Sequence, residues 1–173
     1  MNFFIGTVVL LLIAASAAFA QTGKLNSLSA LAGYTGADRE KVLFDGAKPE
    51  GKVVWYTSLS GGSYKALAEA IEAKYPGVVT EVYRAAGSDL AIRMTQEAQA
   101  RRNIADVIET TQDTLMSLGT AKLFGAFNSP HIRNYPEQAR EKADKGLFYW
   151  TIARESYVGL AYNKTKADEE HRP

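Results

Sequence analysis

The sequence predicts an open, mostly parallel α/β sheet with flanking helices, and three observations carry that prediction. Short β-branched and aromatic runs alternate along the chain with apolar stripes at helical spacing. The first run, Val53 to Thr57, lacks the polar alternation of a half-solvated strand, as expected for a strand buried on both faces of a parallel sheet. The first two runs close in turns with Gly and Ser and the third in Glu109-Thr110-Thr111, so strand, helix, strand, helix, strand, helix reads as a right-handed βαβ series.

Taken in order, Met1 to Gly23 carries no charged side chain, and Ala18-Phe19-Ala20 is an A-x-A pattern. This predicts a secretory signal over residues 1–20, cleaved before Gln21, with an uncleaved anchor helix as the alternative. Residues 21–37 read as a linker. Asp38 is then placed to cap a short helix with Val42 and Leu43 inward, ending at Gly46, before Pro49-Glu50-Gly51 breaks the chain. After Val53–Thr57 and the turn Ser58–Ser63, the residues Tyr64, Leu67, Ala68, Ile71 and Tyr75 form one helical stripe stopped by Pro76-Gly77.

Val78 to Tyr83 is the next strand-like run. Ser88 is the expected N-cap of a helix lined by Leu90, Ala91, Met94 and Ala98. Ala105 to Ile108 reads as a third buried strand, and Gln112 to Leu118 as a short helix ended by Gly119. Residues 124–145 look loop-rich, with Pro130 and Pro136 as breakers. Phe148–Ala153 and Tyr157–Tyr162 are two further strand-like runs, the second needing neighbours on both sides, and Lys164 to Pro173 is charged and without an expected helix or strand.

Composition narrows the function. The chain has 173 residues, no cysteine, and 20 Lys+Arg against 19 Asp+Glu, which excludes a disulfide scaffold and leaves no uniform charge for nucleic acid. The Gly-rich turn at residues 58–63 lacks both the P-loop ending and the dinucleotide fingerprint, so no nucleotide cofactor is expected. His131 and His171, the only histidines, lie far apart in polar stretches and read as surface residues, so no metal site is assigned to them. No G-x-S-x-G elbow offers a hydrolase nucleophile.

In sheets of this class, ligands bind beyond the carboxyl ends of the strands, against loop amides and helix N-termini. Three turns qualify: Ser58–Ser63, Ala85–Ser88 and Glu109–Gln112. Their hydroxyls and glycines suit an anionic or oxygen-rich ligand, although Ser and Gly also serve simply as turn formers. The expected site residues are Ser58, Ser60, Gly87, Ser88, Thr110, Thr111 and Tyr157. Arg154 joins them because a charge between two apolar runs must reach solvent, a carboxylate or a ligand. Glu109, just past a strand, could act as a base or ligand, or merely cap or face solvent. For Trp55, Tyr56, Tyr149, Trp150, Tyr157 and Tyr162 the default role is core packing.

The residues Asp38-Arg39-Glu40-Lys41-Val42-Leu43, Glu50-Gly51-Lys52-Val53-Val54-Trp55-Tyr56-Thr57-Ser58, Lys74-Tyr75-Pro76-Gly77, Ala105-Asp106-Val107 and Ala161-Tyr162-Asn163 resemble the extracellular solute-binding proteins of bacterial ABC importers. Within them the chain is similar to the group of ferric-iron, thiamine and polyamine receptors. The resemblance implies a type II-like periplasmic clamshell whose first lobe covers residues 38–154, with residues 155–173 crossing toward a second lobe. It also implies capture of a small solute, delivery to an inner-membrane ABC permease and no enzymatic turnover. At the positions where some ferric-iron receptors carry a His and a Glu ligand, this chain has Ser60 and Thr111. Receptors that use mainly tyrosines would place those ligands beyond this sequence. Family members continue well past the Tyr-Asn of the crossing, so the resemblance implies the amino-terminal part of a receptor. The alternative from the residues alone is a small α/β enzyme using Glu109 or Arg154 on a small anion.

Overall fold

A computed structural model describes residues 27–155 and 161–169. The expected signal segment, most of the expected strand at 157–162 (including Tyr157) and His171 lie outside the described residues.

A short helix, α1 (Leu28–Ala32), occupies part of the expected linker, where the Ser27 hydroxyl caps it by accepting the Ala30 N–H at 3.2 Å. The next helix, α2 (Arg39–Glu50), runs four residues past the expected stop at Gly46. A single interior glycine weakens a helix without ending it, and Pro49, which lacks the N–H that would bond the Asp45 carbonyl, lies one residue before the helix ends. The break falls at Gly51, which adopts φ 72° and returns its N–H to the Ala47 carbonyl at 3.0 Å. Asp38 holds the N-cap position without a side-chain capping bond, because its carboxylate accepts the Tyr34 hydroxyl at 2.5 Å instead.

The sheet follows. Strand β1 (Lys52–Thr57) is central, flanked by β2 (Val79–Arg84) and β3 (Val107–Glu109), and both pairings are parallel. Trp55, Tyr56 and Thr57 are buried, as a strand covered on both faces requires. Helix α3 (Ser63–Lys74) joins β1 to β2, and α4 (Gly87–Gln99) joins β2 to β3. Because the order β2-β1-β3 reverses direction at β1, right-handed crossovers put α3 and α4 on opposite faces. The expected stripe on α3 holds at Tyr64, Ala68, Ile71 and Tyr75 but not at Leu67, which is exposed.

Register fixes the two faces. Tyr56 pairs with Tyr83 and Ile108, whereas Thr57 pairs with Arg84 and Glu109 and points the other way. On the Tyr56 face, the Arg93 guanidinium of α4 stacks over the rings of Tyr83 (4.0 Å) and Tyr56 (5.1 Å). Its Nε also donates to Glu97 Oε1 and to the Tyr56 hydroxyl, both at 2.8 Å, while that hydroxyl donates to Glu97 at 2.7 Å. The cluster fixes α4 against β1. Burial first, and the Glu97 carboxylate second, push the Tyr56 phenol above its ordinary value.

Strand β3 departs from expectation. It starts at Val107 rather than Ala105, and Val107 is half exposed because β3 pairs only with β1 among the described residues. Helix α5 (Gln112–Thr120) continues through Gly119 and packs on α4, with Thr114, Leu115 and Leu118 buried. The stretch expected to be loop contains 3₁₀ turns at Pro130–Asn134 and Glu137–Ala139 and a strand, β4 (Arg140–Lys142). It pairs antiparallel with β5 (Phe148–Thr151) in a separate sheet. Ala161 and Tyr162 are outside any strand, and Tyr162, like Tyr149, is exposed rather than packed in a core. A six-residue helix, α6 (Lys164–Glu169), lies where none was expected, with Asn163 Oδ1 accepting the Lys166 N–H at 3.1 Å. Among the described residues no helix is long and apolar enough to cross a membrane.

Candidate functional site

The loops after β1, β2 and β3 meet at the carboxyl edge of the sheet, held by backbone bonds that extend the parallel ladder. The Ser58 N–H donates to the Glu109 carbonyl at 2.9 Å, and the Ala85 N–H donates to the Thr57 carbonyl at 3.1 Å. Arg84 adds a tie across the edge, its Nε donating to the Leu59 carbonyl at 2.9 Å.

On the α4 side, Gly87 is the organising residue. Ala86, not Ser88, is the N-cap, with an extended backbone (ψ 155°) and no side chain able to accept a hydrogen bond. Ser88 falls one residue inside the helix and is exposed, which corrects the expectation that it caps. The first helical bond runs from the Leu90 N–H to the Ala86 carbonyl at 3.0 Å, so the amides of Gly87, Ser88 and Asp89 have no partner within the helix. A Cβ on Gly87 would lie 2.7 Å from Thr114 Oγ1, 2.9 Å from Thr110 Oγ1 and 3.3 Å from Thr111 Oγ1. Only a glycine lets the helix start so close to three hydroxyls.

Those hydroxyls differ in their partners. Thr111 Oγ1 and Thr114 Oγ1 are hydrogen-bonded at 3.1 Å. Thr111 has no capping bond to the α5 backbone, and its hydroxyl instead supports Asp113, whose carboxyl is held below the ordinary range by that bond first and by the amides of Thr114 and Asp113 itself. The start of α5 therefore carries its own carboxylate. Thr110 Oγ1 and Ser58 Oγ are buried with no hydrogen-bond partner in the structure. A buried hydroxyl without a partner costs about 1–3 kcal/mol, so two at one edge mark a place where partners are missing.

On the opposite face stands a charged group. Thr57, fully buried, donates from Oγ1 to Glu109 Oε2 at 2.7 Å and accepts the Leu59 N–H at 3.1 Å. Arg154 reaches the same carboxylate, with Nε 3.3 Å from Glu109 Oε1. Arg154, expected to reach solvent, a carboxylate or a ligand, reaches a carboxylate with its side chain partly exposed.

Of the expected site residues, the structure gathers Gly87, Thr110 and Thr111, and places Ser58 beside Thr110 by register. Ser60 and Ser88 are exposed, and Ser60 is not among the side chains nearest a Cβ at Gly87. Arg154 belongs to the Glu109 side, and Tyr157 lies outside the described residues. Sequence reasoning missed Thr57 and Thr114. The signal for Thr114 was the Thr111-x-x-Thr114 spacing, which puts both hydroxyls on one side of a helical turn. His131 is exposed, as expected for a surface histidine. Among the described residues no group of three or more His, Cys, Asp or Glu side chains is arranged to hold a metal ion.

No protein-family model matches the chain, and no curated protein does. Among solved structures it is similar to iron-bound HitA from Pseudomonas aeruginosa, at 24% identity and a TM-score of 0.45. The match covers 55% of this chain and 30% of that one, so it spans less than a third of the length of that protein.

Proposed function

We propose that the chain captures a small, oxygen-rich solute in the periplasm for delivery to an ABC importer, with the parallel sheet forming the first lobe of a clamshell receptor. The observation that carries this reading is the α4 N-terminus: three amides without helical partners, a glycine wedged among three threonine hydroxyls, and two buried hydroxyls without partners beside it. Such an edge offers donors to a ligand's oxygens at little reorganisation cost. The residue resemblance to importer receptors supplies the transport context. Arg154 is ion-paired with Glu109 on the other face of the sheet and is not one of these donors.

The test is thermal stabilisation of the full chain by inorganic phosphate, citrate and ferric ion. A solute that binds only the folded state raises the melting temperature with its concentration. Ser58→Ala and Thr110→Val should abolish that rise while leaving the free melting temperature unchanged or slightly higher, since each removes a buried hydroxyl without a partner. Undiminished stabilisation in both variants would move the site elsewhere. Under the enzyme alternative, steady product formation would be abolished by Glu109→Gln, and that result would displace solute capture as the function.

A further inference from the structure

We infer that the outer edge of β2 is a strand-pairing surface for a second copy of this chain, and that Glu72 of α3 keeps it closed. The inference is independent of what the carboxyl edge of the sheet binds. Among the described residues β2 has β1 as its one neighbour. The Val79 and Ala85 N–H groups donate toward the β1 side, to the Gly51 and Thr57 carbonyls at 3.0 and 3.1 Å. Backbone groups alternate in direction along a strand, so the amides of Thr80, Val82 and Arg84 point away from β1, and such a row is a template for another strand. The Glu72 carboxylate reaches across from α3 and accepts the Thr80 N–H at 2.7 Å. No other described side chain bonds an outward amide of β2. The two charged residues of β2 itself are drawn back toward β1: Glu81 accepts from Lys52 Nζ at 3.0 Å, and Arg84 Nε donates to the Leu59 carbonyl at 2.9 Å. Glu72 is therefore the guard of this edge.

The pattern of the edge selects the partner. Its outward positions are symmetric about Val82, so an antiparallel copy related by a two-fold axis beside Val82 sets every outward donor against an outward acceptor. Val82 then opposes Val82, Thr80 opposes Arg84 and Glu81 opposes Tyr83 of the second copy, with no like charges directly across from each other. This pairing needs the Thr80 amide for the Arg84 carbonyl of the second copy, and Glu72 already holds it. The two-fold repeats the obstacle, so each dimer must break two bonds to a carboxylate.

The experiment is disulfide cross-linking of the full chain under mild oxidation, since the sequence has no cysteine and an introduced thiol stands alone. In the proposed register the two Val82 Cα atoms lie about 5.5 Å apart, within the range of about 4.4–6.8 Å that a disulfide spans. The two Arg84 positions lie four residues apart along the strands, about 13 Å, and cannot be bridged. Val82→Cys should therefore form covalent dimer at least roughly tenfold faster in a Glu72→Ala background than with Glu72 present, the scale of losing a bond to a charged group. Glu72→Ala/Arg84→Cys should stay monomeric. Glu72→Gln keeps an acceptor oxygen for the Thr80 amide, so cross-linking of Glu72→Gln/Val82→Cys should remain near the rate with Glu72 present. Equal rates for Val82→Cys with and without Glu72→Ala would overturn the inference, as would cross-linking through Arg84→Cys as fast as through Val82→Cys. Glu72→Gln as permissive as Glu72→Ala would also overturn it, because the guard would then be charge repulsion and not the bond to Thr80.

Discussion

Replacing Gly87 by alanine tests the tightest approach at the sheet edge. The added Cβ would meet Thr114 Oγ1 at 2.7 Å and Thr110 Oγ1 at 2.9 Å, both inside the distance that real Cβ atoms keep. Thr114 is 6% exposed and is bonded to Thr111, so it has little room to withdraw. Overpacking of this kind costs about 1–3 kcal/mol. Against it stands the helix preference of alanine over glycine, at most about 1 kcal/mol in a helix interior and less in the first turn. The net expectation is a loss of roughly 1–2 kcal/mol, visible as a lower urea midpoint at unchanged slope. Removing the obstacle should restore part of it, so Gly87→Ala should cost less in a Thr114→Ala background, with a coupling of about 0.5–1 kcal/mol. A Gly87→Ala variant as stable as the parent, or a cycle with no coupling, would refute the close-packed start of α4.

Other perturbations probe the supports of the site. Leu118, 1% exposed between α5 and the rest of the core, should cost about 2–5 kcal/mol when cut to alanine, measured by urea unfolding. Tyr56→Phe removes the hydroxyl shared by Glu97 and Arg93 and should cost about 1–2 kcal/mol near neutral pH. Because the folded-state value of Tyr56 is raised, its contribution is full below the unfolded value of about 10 and is lost as pH rises through the folded one; unfolding midpoints from pH 8 to 11 should fall less steeply in Tyr56→Phe. Asp113 has the opposite sign. Its folded-state value is depressed, so its contribution is full above about 3.9 and disappears as pH falls through the folded value, and Asp113→Asn should flatten the acid limb of a melting-temperature profile.

How much of this was legible in the residues depends on what each element needs from elsewhere. Val53–Thr57 announces itself because a run without polar positions suits only a strand covered on both faces, and among the described residues β1 is the one strand of the three with neighbours on both sides. The run ending at Ile108 looked equally buried, yet Val107 is half exposed, since an apolar run does not report how many strands flank it. Strand β4 was invisible because Arg140-Glu141-Lys142 has no strand propensity; its pairing with β5 and the Ile152 N–H to Ala139 carbonyl bond at 2.8 Å impose the conformation. The edge loops were readable as hydroxyl-bearing turns beyond the strands, but Gly87 among three threonines is a tertiary fact, as is the orphaned state of Ser58 and Thr110. Ser88 was misplaced as a cap because capping propensity favours serine locally, whereas the contact at Gly87 sets where α4 begins.

The central claim is that a solute binds at the carboxyl edge of the parallel sheet, and an amide-resolved NMR titration of the full chain reads it most directly. With the solute that most raises the melting temperature among phosphate, citrate and ferric ion (a gallium(III) substitute serving for the last), the account predicts shifts concentrated at Ser58, Gly87 to Asp89 and Thr110 to Asp113, saturating together with one affinity. Saturable shifts centred elsewhere, with these amides unmoved, would contradict it.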